Sequence, residues 1–246
     1  MASLWTGNHY LIQDFAVATS PSLRLIDPRP LTTTNLQILS AGFASGECDA
    51  SGCPYYPING VKSELENIIE LFPRSPDPLS EINEISQEEF SIKSLAEALE
   101  DKRYPILHIA THGQFRADPD NTFIITGKGE KLTIGALDKL IRKNSSDTSP
   151  IELIALTACQ TGIGGNRSEL GLAGVSIRAG ARSAIASLWL IPDRQTATIM
   201  KNFYIHLKDG DSKAQALQKA QITAIESRPR NSPKQWAGLM LVGNWL

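Results

Sequence analysis

The chain has 246 residues, of which 41% are hydrophobic and 20% charged, and its formal net charge is −2. Such a composition is ordinary for a globular protein with a substantial core, and without a basic block it argues against nucleic acid as a partner. No apolar run approaches the roughly 18 residues that a membrane-spanning helix needs. Three cysteines and an N-terminus without a secretory pattern lead us to expect a reducing, cytoplasmic location.

Strand-like and helix-like patterns alternate along the chain, which is typical of an α/β fold with a mostly parallel sheet. In the first hundred residues the patterns predict three strands, an amphipathic helix, and a second helix opened by a capping box of Ser86 and Glu89. The predicted strands cover 9–18, 22–26 and 36–42, and the predicted helices cover 61–71 and about 86–100.

The remainder of the chain contains three longer apolar runs that predict core strands at 105–111, 151–157 and 183–189. Short strands are predicted at 122–126 and 238–242. The predicted helices are one capped by Thr133, one over 169–179 that Gly180 ends in the left-handed conformation, one capped by Asp193 and one opened by Ser212.

Two of the predicted core strands are followed directly by residues that can take part in catalysis. His112 and Gly113 follow the strand at 105–111, and Cys159 follows the strand at 151–157. Because parallel strands end at one edge of a sheet, where α/β proteins bind ligands, we expect the two side chains to lie close together. Their separation, 159 − 112 = 47, is near the roughly 50 residues between the histidine and cysteine of caspase-like peptidases.

This pair has the chemistry of a cysteine-peptidase dyad. A free thiol is only slightly ionised at neutral pH, so a neighbouring histidine is needed to take its proton and return it to the leaving amine. The amides of Gly113 and Cys159 are candidate donors to the oxyanion. His112 has no acidic neighbour in the sequence, so we expect a backbone carbonyl to orient its other nitrogen. The alternative is that Cys159 is a small buried hydrophobe and His112 a structural residue.

Several segments carry a family resemblance. They are 111–115 (THGQF), 156–162 (LTACQTG), 171–175 (GLAGV), 180–189 (GARSAIASLW) and the closing 236–245. In this order they resemble the CHAT domain, a caspase-like family associated with tetratricopeptide repeats. The resemblance implies a three-layer α/β/α caspase-like fold with a mostly parallel central sheet, and a cysteine endopeptidase that uses His112 and Cys159 without a cofactor. Thr157 stands where caspases have glutamine, so an aspartate preference is not implied.

The resemblance also predicts the domain organisation and partners. We expect a single domain over 1–246 that lacks the family's first N-terminal strand, with an N-terminal half at 1–100 and a catalytic half at 101–246. The expected partners are a protein or peptide substrate and a regulatory partner or tetratricopeptide-repeat region absent from this chain. The rival hypothesis is a protease-like interaction or regulatory module that is latent or inactive as an isolated chain.

Three residues are candidates for contacting the substrate. In separases an aspartate follows the matching Asn-Leu-Trp motif, whereas Leu190 follows Trp189 here, which weakens any expectation of arginine specificity. Asp193 could still face the pocket, Trp189 could form its wall, and Glu169 could meet a basic substrate. Their ordinary alternatives are a helix cap, a core aromatic and a helix-dipole partner.

Other chemistries are disfavoured by spacing. His108 and His112 on one strand would lie roughly 13 Å apart, too far to share a zinc ion. Cys48 and Cys53 could be half of a metal site or a loop disulfide, but two unremarkable thiols fit them better. The glycine-rich segment 162–165 lacks the remaining residues of dinucleotide and Walker loops. We therefore expect neither a metal nor a cofactor.

Overall fold

Ten β-strands and six α-helices lie in the part of the computed structural model that describes the chain, namely residues 1–20, 28–32, 36–44, 57–72, 82–114, 121–145, 150–157, 174, 176–177, 179–189, 191–227 and 232–246. The strands are β1 (Ala18–Thr19), β2 (Ile38–Gly42), β3 (Ile82–Ile85), β4 (Ile106–Ala110), β5 (Gly113–Gln114), β6 (Phe123–Ile125), β7 (Lys131–Thr133), β8 (Leu153–Leu156), β9 (Ser183–Ser187) and β10 (Leu239–Gly243). The helices are α1 (Leu11–Asp14), α2 (Gly60–Leu71), α3 (Ile92–Asp101), α4 (Ile134–Asn144), α5 (Asp193–Lys208) and α6 (Lys213–Glu226).

Seven strands form the central sheet, in the order β1-β10-β9-β8-β4-β2-β3. Every neighbouring pair is parallel except β9 and β10, which run antiparallel. A second, three-stranded antiparallel sheet of β5, β6 and β7 follows directly from the end of β4. The predicted mostly parallel sheet is therefore confirmed.

Helices cover both faces of the central sheet. Alternation along β4 directs Ile106 and His108 to one face and Leu107 and Ile109 to the other, as the two-residue period of a strand requires. The first face packs against α1, α2, α5 and α6, and the second packs against α3, α4 and the small sheet. This arrangement confirms the predicted three-layer α/β/α fold. None of the described helices is both long and apolar enough to cross a bilayer.

Local signals placed most elements correctly. Thr133 caps α4 by accepting a hydrogen bond from the Ala136 amide, and Ser212 caps α6 in the same way through Gln215. Gly180 has φ of 108°, which is the predicted left-handed conformation. The strands predicted at 36–42, 105–111, 122–126, 151–157, 183–189 and 238–242 are all present with slightly different ends, and the predicted strand at 22–26 lies outside the described residues.

Two of the predicted elements have different bounds or a different type in the structure, and some short strands were missed. Residues 9–18 are not one strand: the Tyr10 amide donates to the Gln13 side chain 2.9 Å away at the start of the one-turn helix α1, and only Ala18 of this range belongs to a strand, β1. Ser86 and Glu89 do hydrogen bond, but only within a turn, and α3 begins after Ser91, which is its true cap. Strands β3, β5 and β7, which have four, two and three residues, were not predicted.

Candidate active site

The ends of β4 and β8 lie side by side in the middle of the sheet. Ile109 and Leu156 are register partners, and the Thr157 amide donates to the Ile109 carbonyl 3.3 Å away. His112 therefore lies at the edge of the sheet where the two strands end, as the sequence predicts. The second member of the predicted dyad, Cys159, lies outside the described residues, as does Glu169.

His112 is held by the backbone of the loop after β2. Its Nε2 lies 3.1 Å from the carbonyl oxygen of Ala44, and the Phe43 ring packs edge-on against the imidazole with a centroid separation of 5.9 Å. A carbonyl oxygen only accepts hydrogen bonds, so Nε2 carries the hydrogen and Nδ1 holds the lone pair of the neutral ring. This contact confirms the expected orientation of the imidazole by a backbone carbonyl.

The surroundings of His112 favour its neutral form. The side chain is nearly buried, with 3% of its surface exposed. Burial lowers the pKa of His112, while the hydrogen bond to Ala44 and the negative charge of Asp193 act in the opposite direction and raise it. Because the net shift is downward from 6.5, the imidazole is predominantly neutral at pH 7 and able to accept a proton.

Gly113 follows His112 in the first position of β5. It is the register partner of Ile124, and the neighbouring hydrogen bond runs from the Ile125 amide to the His112 carbonyl at 2.9 Å. Antiparallel strands alternate hydrogen-bonded and non-hydrogen-bonded pairs, and this bond assigns Gly113 to a non-hydrogen-bonded pair. The Gly113 amide is therefore directed away from β6.

Asp193 begins α5 and lies against the start of α2. Its carboxylate accepts hydrogen bonds from the Asn59 and Gly60 amides, so it satisfies the N-terminus of α2 and not that of its own helix, whose N-cap is Pro192. The predicted capping of α5 by Asp193 is therefore wrong. The contact requires glycine, because a Cβ on Gly60 would lie 2.6 Å from the Asp193 Cβ. Burial raises the pKa of Asp193, opposed by these amides and by His112.

Trp189 follows β9 on the same edge of the sheet, but its indole is tied to the protein. The indole Nε1 donates to the Lys234 carbonyl at 2.8 Å, and the ring packs against the apolar core beneath α5 and α6. The observed contacts of Trp189 are thus structural. Its contact with a substrate stays a prediction.

A buried polar row beneath this edge was missed by sequence reasoning. His108 Nε2 lies 3.0 Å from Glu64 Oε1, and His108 Nδ1 lies 3.0 Å from the Tyr204 hydroxyl. One signal was available: Glu64 falls on the apolar stripe of α2, next to Val61 and Leu65, where a carboxylate is unusual. Within the described ranges, no group of three or more histidine, cysteine, aspartate or glutamate side chains could hold a metal ion.

Comparison with known proteins gives both family and fold. The sequence pattern of the CHAT domain matches residues 1–244. Tetratricopeptide repeat protein 28 of Homo sapiens is 28% identical over 97 residues, which are 39% of this chain and 4% of that protein. Among solved structures, the Arg-specific cysteine proteinase gingipain R (RgpB) is similar with a TM-score of 0.55 at 13% identity, over 89% of this chain and 49% of that one.

A second solved structure, the complex of Porphyromonas gingivalis RgpB pro- and mature domains, is similar with the same TM-score of 0.55 at 12% identity, over 89% of this chain. The chain spans about half the length of these solved chains and a small part of the human relative. At such identities the likeness to the gingipain structures establishes the fold alone.

Proposed function

Because the chain belongs to the CHAT domain family, we propose that it is a cysteine endopeptidase in which Cys159 is the nucleophile and His112 the general base and acid. The observation that carries the proposal is the position of His112 at the end of β4, with its Nε2 hydrogen held by the Ala44 carbonyl. The fold shared with gingipain R, a cysteine proteinase, supports it.

The register of the sheet supports the pairing of the two residues. His112 follows Ile109 by 112 − 109 = 3 residues, and Cys159 follows Leu156 by 159 − 156 = 3 residues. Ile109 and Leu156 are partners in adjacent parallel strands. Because each residue is three positions beyond its member of this pair, the imidazole and the thiol are expected to lie close together at the same edge of the sheet.

In the proposed mechanism, Nδ1 of His112 accepts and returns the proton at each step, because Nε2 already carries a hydrogen. Nδ1 takes the proton of the Cys159 thiol, and the thiolate Sγ attacks the carbonyl carbon of the scissile peptide bond. The Gly113 and Cys159 amides donate to the oxyanion that forms. As the C–N bond breaks, the imidazolium returns its proton to the leaving amine. A water molecule then attacks the thioester while His112 takes its proton, and the carboxylic acid product leaves as the thiol is restored.

The substrate is proposed to be a protein or peptide, and three residues remain proposed contacts for it: Asp193, Trp189 and Glu169. Asp193 combines charge with a half-buried position near His112. The human relative is named as a tetratricopeptide repeat protein. We therefore propose a tetratricopeptide-repeat region as the regulatory partner.

The proposal is tested with a library of internally quenched peptides whose cleavage is followed by fluorescence and located by mass spectrometry. We expect Cys159→Ala to abolish cleavage and His112→Ala to reduce it by about 10²–10⁴-fold, which is the usual contribution of general acid–base catalysis. His206→Ala and Cys53→Ser are the matched controls and should leave cleavage unchanged.

Cleavage that survives Cys159→Ala would contradict the proposal. A wild-type protein that cuts no peptide, together with a Cys159 thiol that titrates as an ordinary cysteine, would favour the regulatory module instead.

A further inference from the structure

A row of three buried polar side chains connects the elements that build the candidate site. Glu64 comes from α2, His108 from β4 and Tyr204 from α5, and the contacts between them are both 3.0 Å. The side chains of His108 and Glu64 are 0% and 3% exposed, and Tyr204 is fully buried. The contact of His108 with Tyr204 is a hydrogen bond, whereas Glu64 lies at ion-pair distance from His108 without hydrogen-bond geometry. Because the described residues offer these buried polar atoms no other partner, a displacement of any of the three side chains would be costly.

The same three elements supply the edge of the sheet around His112. β4 leads directly into His112, α5 begins with Asp193, and α2 begins with the two amides, of Asn59 and Gly60, that hold the Asp193 carboxylate. Each element therefore contributes one residue to the buried row and at least one group to the edge.

The two helices run in the same direction, which brings both N-termini to this edge. Lys201 on α5 donates to Asn67 on α2 at 2.9 Å, and seven residues later Lys208 donates to the Leu71 carbonyl at 2.7 Å. At the N-terminal end of the same interface, Gly60 packs directly on Asp193. The partial positive charges of both helix ends thus meet at the Asp193 carboxylate.

The buried row connects these two helices through β4, which supplies His108. Glu64 is 64 − 60 = 4 residues after Gly60, so it projects from the same side of α2 one turn further on. Tyr204 is 204 − 193 = 11 residues after Asp193, about three turns along the same side of α5. A shift of either helix along the other would therefore disturb the buried row as well as the contact between Gly60 and Asp193.

We propose that Glu64 and Tyr204, tied together through His108, are positioning residues that fix the Asp193 carboxylate relative to His112. The inference rests on the proposed function only in taking His112 as the group that exchanges protons. The charge of Asp193 raises the pKa of His112, and Glu64 in turn raises the pKa of Asp193, so the electrostatic consequence of the geometry is measurable.

The measurement is the pKa of His112, followed by nuclear magnetic resonance of its imidazole in the full chain, which has four histidines. Asp193→Asn removes the carboxylate charge and should lower the pKa of His112. If the buried row positions the carboxylate, the same Asp193→Asn substitution in a Tyr204→Phe background should produce about half of that decrease or less, in a double-mutant cycle. Glu64→Leu should have the same effect as Tyr204→Phe.

Two controls separate positioning from loss of stability. Glu64→Gln keeps an oxygen against His108 Nε2 and should retain the full effect of Asp193→Asn, as a conservative rescue. Ile199→Val removes a buried methylene from α5 without changing a polar group and should also retain it. Should Glu64→Leu fail to fold, Tyr204→Phe keeps the ring in place and carries the test.

An equal decrease in the pKa of His112 with and without the intact row would overturn the inference, as would an Asp193→Asn variant in which the pKa of His112 does not move. Because the titration requires neither a substrate nor a reactive Cys159, it can fail while the proposed peptidase activity stands. It can equally succeed if no peptide is cut.

Discussion

Two histidines four residues apart experience opposite surroundings. His108, inside β4, contacts a carboxylate through one ring nitrogen and a phenol through the other, whereas His112, just past the strand, is held by the Ala44 carbonyl. Both are nearly buried, at 0% and 3% exposed. Burial alone does not distinguish a structural histidine from a candidate catalytic one, and the distinction comes from the partners of the ring.

The largest expected difference between the two is in stability. His108→Ala removes the partner of a fully buried carboxylate, which typically costs about 3–5 kcal/mol in the free energy of unfolding. His112→Ala loses one hydrogen bond to a backbone carbonyl, worth about 1 kcal/mol. Urea unfolding of both variants measures the loss in the free energy of unfolding. Equal losses would mean that His108 does not stabilise the buried carboxylate of Glu64.

At the opposite edge of the sheet, a buried lysine lies near a carboxylate without forming a hydrogen bond to it. Lys213 is 0% exposed and its ammonium lies 3.8 Å from Glu152, beyond hydrogen-bonding distance. Burial lowers the pKa of Lys213 from 10.5 to about 8; Glu152 raises it and Arg182 lowers it further. Folding therefore disfavours the charged form of Lys213.

The consequence is a stability that increases with pH. Between pH 8 and 10.5 the unfolded chain binds the Lys213 proton and the folded chain releases it, so the free energy of unfolding rises through this window. The full difference of 10.5 − 8 = 2.5 units corresponds to about 3 kcal/mol.

Lys213→Met should remove this rise without lowering stability at pH 7, since Glu152 keeps Arg182 at 3.4 Å. The measurement is urea unfolding between pH 7 and 10.5, with Lys219→Met as the exposed control. A rise that persists in Lys213→Met would assign it to another group.

Local sequence signals were sufficient for the core strands of the central sheet and insufficient for the contacts between distant residues. The apolar runs that became β4 and β8 are bounded by polar residues, and that pattern alone placed His112 at a strand end. The Ala44 carbonyl that holds the ring is 68 residues earlier in the chain, and Tyr204 is 96 residues after His108. Contacts of that sequence separation depend on the packing of whole elements, which no local period encodes.

Asp193 shows the same limit in a single residue. Its place before an amphipathic segment predicts a cap for α5, because aspartate satisfies N-terminal amides well. Parallel packing of α2 and α5 brings a second helix N-terminus to the same point, and the carboxylate accepts from Asn59 and Gly60 instead. The sequence preference for an amide partner was interpreted correctly, and only the tertiary fold decides which helix supplies it.

The smallest expected effect concerns the chemistry of Cys159 and separates the two histidines most directly. In a background with Cys48 and Cys53 replaced by serine, we expect iodoacetamide to alkylate Cys159 with an apparent pKa well below that of a free thiol. A free thiol of pKa near 8.5 is about 3% ionised at pH 7, so loss of a base that ionises it fully would slow alkylation by about thirty-fold.

His112→Ala should show that decrease, and His206→Ala, which changes an imidazole far along α5, should not. The rate is measured from pH 5 to 9, because a thiolate stabilised by His112 keeps its reactivity below pH 7 while an ordinary thiol loses it tenfold per pH unit. A rate that His112→Ala leaves unchanged would remove the contrast with His108, since both imidazoles would then serve only the fold.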